Sequence, residues 1–465
     1  MARYTSFLSS ALACLMLTPT AFAQDACKDS ATGAAKVEMK FTEGSIRGAF
    51  SQGVVLQGSN GEFYVSFEFS TNKASKVTVR PPMNLAIVVD RSGSMSGDKI
   101  IAARTAASEL VAHLTDKDRV ALIQYDDKAQ VIVPSILTDS EGKNILQGAI
   151  EGIYPGGGTN LHDGLNEGID EVAEYVAPGQ VNRVILLSDG RANVGIVDPN
   201  EIANDASASA ERGIKISSVG LGLDFNEDLM ESIAVNGLGR YYYAATADQL
   251  DDVLGGELNG MQEVVATNAE LRLQPGCAGV EIIQVFGYTP RKDGDTVIIP
   301  IPELSGGEKR KVMIKLKTVT EKEFKQDAFK ASFSYQDTKG TKNSTKDMAL
   351  SIAVSKDKKK VESSVDKKAM AQVVTLEGGV AIRQASEAYA NGDTDGANNQ
   401  MKEARKKVAA AKKTYNFSDD EINGELLKPL TDKDSAVNPF RAAPSSAVGK
   451  DSVKKNKSIA NEAMY

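Results

Sequence analysis

Between residues 84 and 260 the sequence alternates short, uninterrupted apolar runs with longer stretches whose apolar residues recur at helical spacing. The run Leu85–Val89 shows no alternation of apolar and polar residues, which is typical of a parallel strand covered on both faces. In the following stretch, from Ile100 to Leu114, the apolar residues lie mostly three or four positions apart, as on one face of a helix. Repetition of this alternation predicts a doubly wound α/β domain, a mostly parallel sheet with helices on both faces.

On either side of this region the period of the apolar residues changes to two. Residues 24–83 and 261–355 contain short alternating segments separated by turn residues, which predict antiparallel β-structure. We predict that these segments form a β-sandwich into which the domain of residues 84–260 is inserted, or which flanks it. The predicted fold class is therefore α/β with added antiparallel β-segments.

The C-terminal part of the chain changes character again. Residues 356–429 carry Ala, Lys and Gln at helical periods, interrupted at Asn391-Gly392-Asp393, and predict a helical hairpin. Residues 430–465 are rich in Ser, Ala, Lys, Asp and Pro without periodicity, so we predict no regular structure there.

The first 23 residues have the composition of a secretory signal peptide. Arg3 precedes the apolar run Phe7–Leu17, and the small-residue site Ala21-Phe22-Ala23 follows it. A lipid anchor on Cys14 is a weaker alternative, because the residues before it form a poor lipoprotein cleavage site. We therefore expect an exported protein, periplasmic or secreted to the cell surface. No later stretch reaches the roughly 18 to 20 consecutive apolar residues of a membrane span, so no integral span is expected.

Cysteine use and charge narrow the possibilities further. Setting Cys14 aside leaves Cys27 and Cys277, and in an oxidising compartment we expect these two to form a disulfide. Two separate thiols are the alternative. A bridge between them would also bring the two β-segments together. The net charge of −8 argues against nucleic acid as a partner.

The strongest local pattern places polar oxygen atoms at the ends of predicted strands. Asp90-Arg91-Ser92-Gly93-Ser94 follows one buried strand, Asp189 follows the strand Val184–Ser188, and Thr159 lies in the glycine-rich loop at 156–160. Loops at the carboxyl ends of neighbouring parallel strands converge on one edge of a sheet. Two carboxylates and three hydroxyls form an all-oxygen set suited to Mg²⁺, with Mn²⁺ and Ca²⁺ as alternatives, and poorly suited to Zn²⁺ or copper.

Three motifs in this order resemble the von Willebrand factor type A domain with an intact metal-ion-dependent adhesion site. They are Asp90–Met95, Gly158-Thr159-Asn160 and Leu187–Gly190, and the resemblance covers residues 84–260. It implies that the hydroxyls of Ser92, Ser94 and Thr159 contact the metal, while Asp90 and Asp189 hold it directly or through water. It also implies that a carboxylate of a partner protein completes the coordination. The arrangement of the whole chain resembles bacterial secreted type A proteins.

Several of the polar residues also fit simpler structural roles. The D-x-S-x-S stretch alone could be a helix N-cap, and Asp126-Asp127 a turn. Asp224, Asn226 and Asp228 lack the glycine and the terminal glutamate of a calcium loop, so a helix start explains them better.

Catalysis is the least favoured reading. The two histidines, His113 and His162, form no H-E-x-x-H or Cys/His cluster. A triad of Ser92, His162 and Asp189 lacks the G-x-S-x-G elbow.

We therefore predict an exported, non-enzymatic binding protein that recognises an exposed Asp or Glu of a protein ligand through a divalent cation, in adhesion or partner capture. A periplasmic assembly factor or scaffold for an envelope complex is the alternative. An enzyme with the metal as Lewis acid ranks last, since the sequence offers no general base. A further hypothesis is that the helix at about 248–262, which leads into the second β-segment, shifts on ligand binding.

Overall fold

The computed structural model describes residues 33–73, 80–246, 248–424, 426–431, 440 and 442–464. The predicted signal peptide at 1–23 and Cys27 lie outside the described residues. The strands are β1 (Lys36–Phe41), β2 (Gly44–Phe50), β3 (Val54–Leu56), β4 (Glu62–Thr71), β5 (Met83–Asp90), β6 (Arg119–Tyr125), β7 (Ala129–Leu137), β8 (Val181–Ser188), β9 (Lys215–Leu221), β10 (Leu238–Ala244), β11 (Val264–Pro275), β12 (Glu281–Phe286), β13 (Arg291–Asp293), β14 (Thr296–Ile301), β15 (Leu304–Ser305), β16 (Lys309–Lys317), β17 (Phe324–Gln336), β18 (Lys342–Ser344) and β19 (Met348–Ser355). The helices are α1 (Asp98–Ala112), α2 (Ser140–Glu151), α3 (Leu161–Ala173), α4 (Pro199–Glu211), α5 (Glu227–Asn236), α6 (Asp248–Gln262), α7 (Lys358–Ser363), α8 (Lys367–Ala390), α9 (Thr394–Tyr415), α10 (Lys428–Thr431) and α11 (Ala447–Met464).

The central sheet has the strand order β10-β9-β8-β5-β6-β7, parallel except for β7, which runs antiparallel to β6. Every residue of β5 and β8 is buried, as the unbroken apolar runs predicted. Apolar residues of α1, α2 and α6 cover one face, and those of α3, α4 and α5 cover the other. The predicted doubly wound α/β class is confirmed.

The flanking β-segments form two antiparallel sheets that face each other. The first has the order β1-β2-β4-β16-β12, so β4 from before the α/β domain pairs with β16 from after it. The second has the order β13-β14-β11-β17-β19-β3, with β15 on β11 and β18 on β17, and its strands β19 and β3 pair in parallel. Phe69 and Phe333 meet between the sheets with ring centroids 5.3 Å apart. The α/β domain is thus an insertion in a sandwich that both segments build.

Helix α8 packs on the outer face of the first sheet, and α9 and α11 pack against α8. Val373 and Leu376 of α8 join Phe286 and Met313 in a small apolar core. Helix α9 returns along α8 after the break at Gly392, where φ is +88°, a conformation that glycine adopts without strain.

The prediction that residues 430–465 lack regular structure is wrong for Ala447–Met464, which form α11. Two of its lysines, Lys454 and Lys457, are buried and bind acidic residues of α5: Lys454 Nζ lies 2.9 Å from Glu227 Oε2, and Lys457 Nζ lies 2.5 Å from Asp228 Oδ1. The composition suggested solvated lysines, whereas pairing with carboxylates lets them be buried.

No helix in the described part of the chain has both the length and the hydropathy of a bilayer span.

Candidate functional site

The candidate site lies at the carboxyl edge of the central sheet. Strands β5 and β8 are parallel neighbours in the sheet, with Val89 opposite Leu187. Asp90, the last residue of β5, and Asp189, directly after β8, therefore reach the same edge. A short 3₁₀ turn, Gly93–Met95, carries the chain from Asp90 into α1.

Hydrogen bonds connect four of the predicted residues. The backbone N–H of Ser92 donates to Asp90 Oδ1 over 2.8 Å, and the Ser94 hydroxyl donates to Asp189 Oδ1 over 2.7 Å. The hydroxyl oxygens of Ser92 and Ser94 lie 3.1 Å apart. Asp90, Ser92, Ser94 and Asp189 thus form one connected group.

Thr159 faces the same space from the third loop. A methyl group placed on Gly190 would lie 3.3 Å from Thr159 Oγ1, 3.5 Å from Ser94 Oγ and 3.9 Å from Asp90 Oδ2. Three oxygens from two of the loops therefore lie within 4 Å of one point beside Gly190, which belongs to the remaining loop.

Backbone contacts hold the three loops together. Gly156 N–H donates to Arg91 O over 2.6 Å, and Gly93 N–H donates to Gly157 O over 3.1 Å. The N–H of Thr159 donates to Asn193 Oδ1 over 2.9 Å, which links the glycine-rich loop to the segment after β8. These contacts hold the three loops side by side at the sheet edge.

Burial and charge give the site its electrostatic character. Asp90, Ser92, Thr159 and Asp189 are buried, while Ser94 is exposed and opens the site to solvent. Burial raises the pKa of Asp90, and the negative charge of Asp189 adds to this, although hydrogen bonds from Ser188 and Ser92 oppose it. A cation nearby would favour the charged form of Asp90.

The sequence analysis missed two contributors. Ser188 donates a hydrogen bond from its hydroxyl to Asp90 Oδ2 over 2.7 Å, and Lys99 forms an ion pair with Asp189 Oδ2. Ser188 was visible as the serine of the Leu187–Gly190 motif. Lys99 gave no signal of its own, because a lysine in the first turn of a helix usually reads as a solvated residue.

The acidic turn Asp126-Asp127 has a local structural role beside the site. Asp126 pairs with Arg91, with Nη2 and Oδ2 2.5 Å apart, and Asp127 Oδ1 accepts a hydrogen bond from Gly158 N–H over 2.8 Å. The turn therefore supports the glycine-rich loop.

The remaining candidates are engaged elsewhere. His162 Nε2 lies 2.8 Å from Asp205 Oδ2, so its ring is bound away from the triad geometry with Ser92. Asn226 caps α5, accepting a hydrogen bond from Leu229 N–H, as expected for a helix start. Among the described residues, no group of three or more His, Cys, Asp or Glu side chains is arranged to hold a metal. The candidate set instead combines two carboxylates with three hydroxyls.

Comparison with known proteins identifies the central domain. Residues 84–255 match the model of the von Willebrand factor type A domain, so the chain contains a domain of this family. "Uncharacterized protein YfbK" of Escherichia coli is 30% identical over 214 residues, which are 46% of this chain and 37% of that protein. Human inter-alpha-trypsin inhibitor heavy chain H4 is 31% identical over 181 residues, which are 37% of this chain and 20% of the relative. The chain thus spans well under half of the length of these two relatives.

Two solved structures resemble almost the whole chain. A von Willebrand factor type A protein from Catenulispora acidiphila has a TM-score of 0.70 at 19% identity, over 91% of this chain and 98% of that one. The ArnB paralog VWA2 from Sulfolobus acidocaldarius has a TM-score of 0.58 at 17% identity, over 90% of this chain and 98% of that one. At these identities the similarity establishes the fold, including the C-terminal helices.

Proposed function

We propose that the type A domain binds a divalent cation, Mg²⁺ first among them, at its sheet edge and uses it to recognise an Asp or Glu side chain of a partner protein. The observation that carries this proposal is the convergence of Thr159 Oγ1, Ser94 Oγ and Asp90 Oδ2 within 4 Å of one point beside Gly190. The chain would then be a binding protein rather than an enzyme.

The donor set fits a hard cation. Mg²⁺ takes oxygen ligands, usually keeps several waters and is bound through one or two carboxylates. Asp90 and Asp189 supply two negative charges, and Ser92, Ser94 and Thr159 supply neutral oxygens. Mn²⁺ or Ca²⁺ would be accepted by the same oxygens, whereas Zn²⁺ and copper favour nitrogen and sulfur ligands.

The partner chemistry follows from charge and exposure. When bound, the cation supplies a concentrated positive charge that attracts a carboxylate. Ser94 is the exposed member of the set, so an incoming side chain would approach past it. Type A domains typically mediate protein–protein interaction or adhesion, which agrees with a protein ligand.

We further propose that the chain is exported, on the evidence of the signal-peptide pattern in its first 23 residues. Adhesion or partner capture would place it at the cell surface or outside the cell. Assembly of an envelope complex, the alternative, would confine it to the periplasm. Cell fractionation with antibody detection separates the two.

The metal step is tested by calorimetric titration of Mg²⁺ into the wild type and the Asp90→Ala variant. We expect saturable binding to the wild type and loss of binding in the variant, because Asp90 supplies one of the two carboxylates. Asp116→Ala removes an equally charged but exposed carboxylate from the same domain and should bind like the wild type. Equal Mg²⁺ binding by Asp90→Ala and wild type would exclude the proposed site.

The partner step is tested by a pull-down from cell-envelope extracts with Mg²⁺ present. A partner recognised through the cation should be retained by the wild-type bait, released by a chelator and absent from the Asp90→Ala bait. Proteins retained equally by both baits would count against recognition through the cation.

A further inference from the structure

Lys99 occupies a position that does not favour its own helix. Helix α1 begins at Asp98, so Lys99 lies in the first turn. The N-terminus of a helix carries a partial positive charge and is stabilised by acidic rather than basic side chains. Helix stability therefore does not account for a lysine here.

The ammonium group of Lys99 is directed to the candidate site. It pairs with Asp189 Oδ2, while Asp189 Oδ1 accepts the hydroxyl of Ser94. The same Nζ lies 3.3 Å from the backbone oxygen of Ser94. Lys99 thus binds one of the two carboxylates that the proposed cation would share.

The loop between β9 and α5 confines the lysine from the other side. A methyl group on Gly222 would lie 3.3 Å from Lys99 Cε and 3.6 Å from Nζ, and Gly222 has φ of +79°. The Lys99 side chain is 30% exposed. Its charge is therefore held in place and only partly screened by water.

The net charge of the site depends on Lys99 both without and with a bound cation. Without a cation, Lys99 offsets one of the two buried carboxylates, and Arg91 is engaged with Asp126. With a divalent cation bound, the two carboxylates are offset by the metal and the lysine charge is left over. The loaded site then carries one net positive charge, which favours an incoming carboxylate.

We propose that Lys99 competes with the divalent cation for Asp189, lowering the affinity for the metal while giving the loaded site its net positive charge. This inference rests on the proposed function, because it assumes that the cation binds beside Asp189. Lys99 is a positioning residue that acts through Asp189.

The test is calorimetric titration of Mg²⁺ into the wild type, Lys99→Met and Lys99→Arg. One unit charge acting on a divalent cation from about 6 Å in a water-like medium changes its affinity by roughly tenfold. We therefore expect Lys99→Met to bind Mg²⁺ about tenfold more tightly, and Lys99→Arg, which keeps the charge, to stay within about twofold of the wild type. Lys117→Met removes an exposed lysine of the same domain and should leave the affinity unchanged.

A second measurement covers a loss of stability in Lys99→Met. Because removal of Lys99 leaves Asp189 without its ion pair, the unfolding temperature in chelator should fall, and the rise on adding saturating Mg²⁺ should exceed that of the wild type.

The outcomes separate this inference from the proposed function. Tighter binding by Lys99→Met supports the competition, since a merely disturbed site would bind more weakly. Unchanged or weaker binding by Lys99→Met, with saturable binding by the wild type, overturns the role of Lys99 and leaves the metal site intact. Absence of binding by both proteins overturns the two proposals together.

Discussion

Strand β8 has a buried charged cluster at each end, and each cluster combines two carboxylates with one cation but pairs them differently. Near its start, Arg183 Nη1 lies 2.9 Å from Glu257 Oε1 of α6, and Nη2 pairs with Glu303 of the sandwich segment. We call these three residues the junction cluster. At the other end, Asp189 lies beside a second carboxylate, Asp90, with Lys99 as its ion-pair partner.

The two ends of β8 shift the pKa of a buried carboxylate in opposite directions. Burial alone would raise the pKa of Glu257, but Arg183 and hydrogen bonds from Ser217 and Tyr242 lower it on balance. For Asp90 the burial effect prevails and the pKa is raised. A buried carboxylate with a built-in cation is satisfied by the protein itself, whereas one without it gains from a cation supplied from outside.

This difference separates a structural role from a binding role along a single strand. The junction cluster ties the type A domain to the sandwich through three different elements. It also holds α6, the helix that our hypothesis expects to shift on ligand binding. At the sheet edge, by contrast, Lys99 pairs only with Asp189, Asp90 has no ion pair among the described residues, and Ser94 is open to solvent.

The largest effect is expected from Arg183→Met, which leaves Glu257 and Glu303 buried without their cation. Breaking a buried ion pair by removing one partner typically costs about 3–5 kcal/mol. We expect the free energy of unfolding in urea to fall by about that amount. Arg272→Met removes a partly exposed arginine paired with Glu270 and should change it by less than about 1 kcal/mol. Equal losses of unfolding free energy in the two variants would mean that the buried junction cluster contributes no more to stability than a surface ion pair.

At the opposite end of β8 we expect Asp90→Asn to leave the protein without Mg²⁺ at least as stable as the wild type. The amide can keep hydrogen bonds with Ser92 N–H and the Ser188 hydroxyl while removing a charge that burial disfavours. With Mg²⁺ at about 100 times its dissociation constant, the wild type should gain about 2.7 kcal/mol and the variant nothing. Thermal unfolding with and without chelator measures both quantities.

The matched control for Asp90→Asn is Asp118→Asn. Asp118 is also buried in the type A domain, but its Oδ1 lies 2.9 Å from Arg80 Nη1, and the hydrogen bonds and charge of its partners lower its pKa despite burial. Its loss should therefore cost about 1–3 kcal/mol under all conditions. A destabilised Asp90→Asn in chelator would mean that this end of the strand is also a structural cluster.

The sequence predicted the sheet edge well because its information is local. Asp90 and Asp189 each follow directly on an unbroken apolar run, and the parallel pairing of those runs fixes both on one edge. The doubly wound class followed from the alternation of unbroken apolar runs with helical periods, and the two-part sandwich from the similar strand patterns and the cysteine pair.

The contacts that the sequence did not predict join distant residues whose types suggest exposure. Arg183 meets Glu257 and Glu303 across 74 and 120 positions, and each alone reads as a surface charge. Lys99 meets Asp189 beside the loop at Gly222, and Lys454 of α11 is buried through its pairing with Glu227. Charge pairing in three dimensions decides all of these, and a linear pattern does not record it.

Gly190→Ala tests whether the space at the sheet edge is the position of the cation. Its methyl group would lie within 4 Å of Thr159 Oγ1, Ser94 Oγ and Asp90 Oδ2. We expect Mg²⁺ affinity to fall at least about tenfold, equivalent to about 1.4 kcal/mol, with the stability in chelator changed by less than that. Gly148→Ala, on an exposed position of α2 with no atom near the added methyl group, should bind Mg²⁺ normally. Wild-type affinity in Gly190→Ala would move the cation away from this space.

The smallest effect concerns Lys215, a second buried cation near the junction cluster. Burial, with the charge of Arg183, lowers the pKa of Lys215 from 10.5 to about 8, although Glu303 and Glu270 oppose this. Between these two pKa values Lys215 keeps its proton in the unfolded chain but has lost it in the folded protein. The free energy of unfolding therefore rises with pH from about 8 upward. Below pH 8, where Lys215 is charged in both states, its burial destabilises the fold most. Replacing Lys215 by Met should remove this contribution to the pH dependence of the free energy of unfolding.

We therefore expect the stability advantage of Lys215→Met over the wild type to shrink by up to about 1 kcal/mol per pH unit between pH 8 and pH 10. Urea unfolding at several pH values measures it. Lys117→Met, an exposed lysine in the same domain, should show a constant difference from the wild type. If the free energies of unfolding of Lys215→Met and the wild type depend on pH in the same way, the two glutamates of the junction cluster keep both Lys215 and Arg183 charged. The junction would then be more completely neutralised, and its contrast with the acidic sheet edge sharper, than the burial of Lys215 implies.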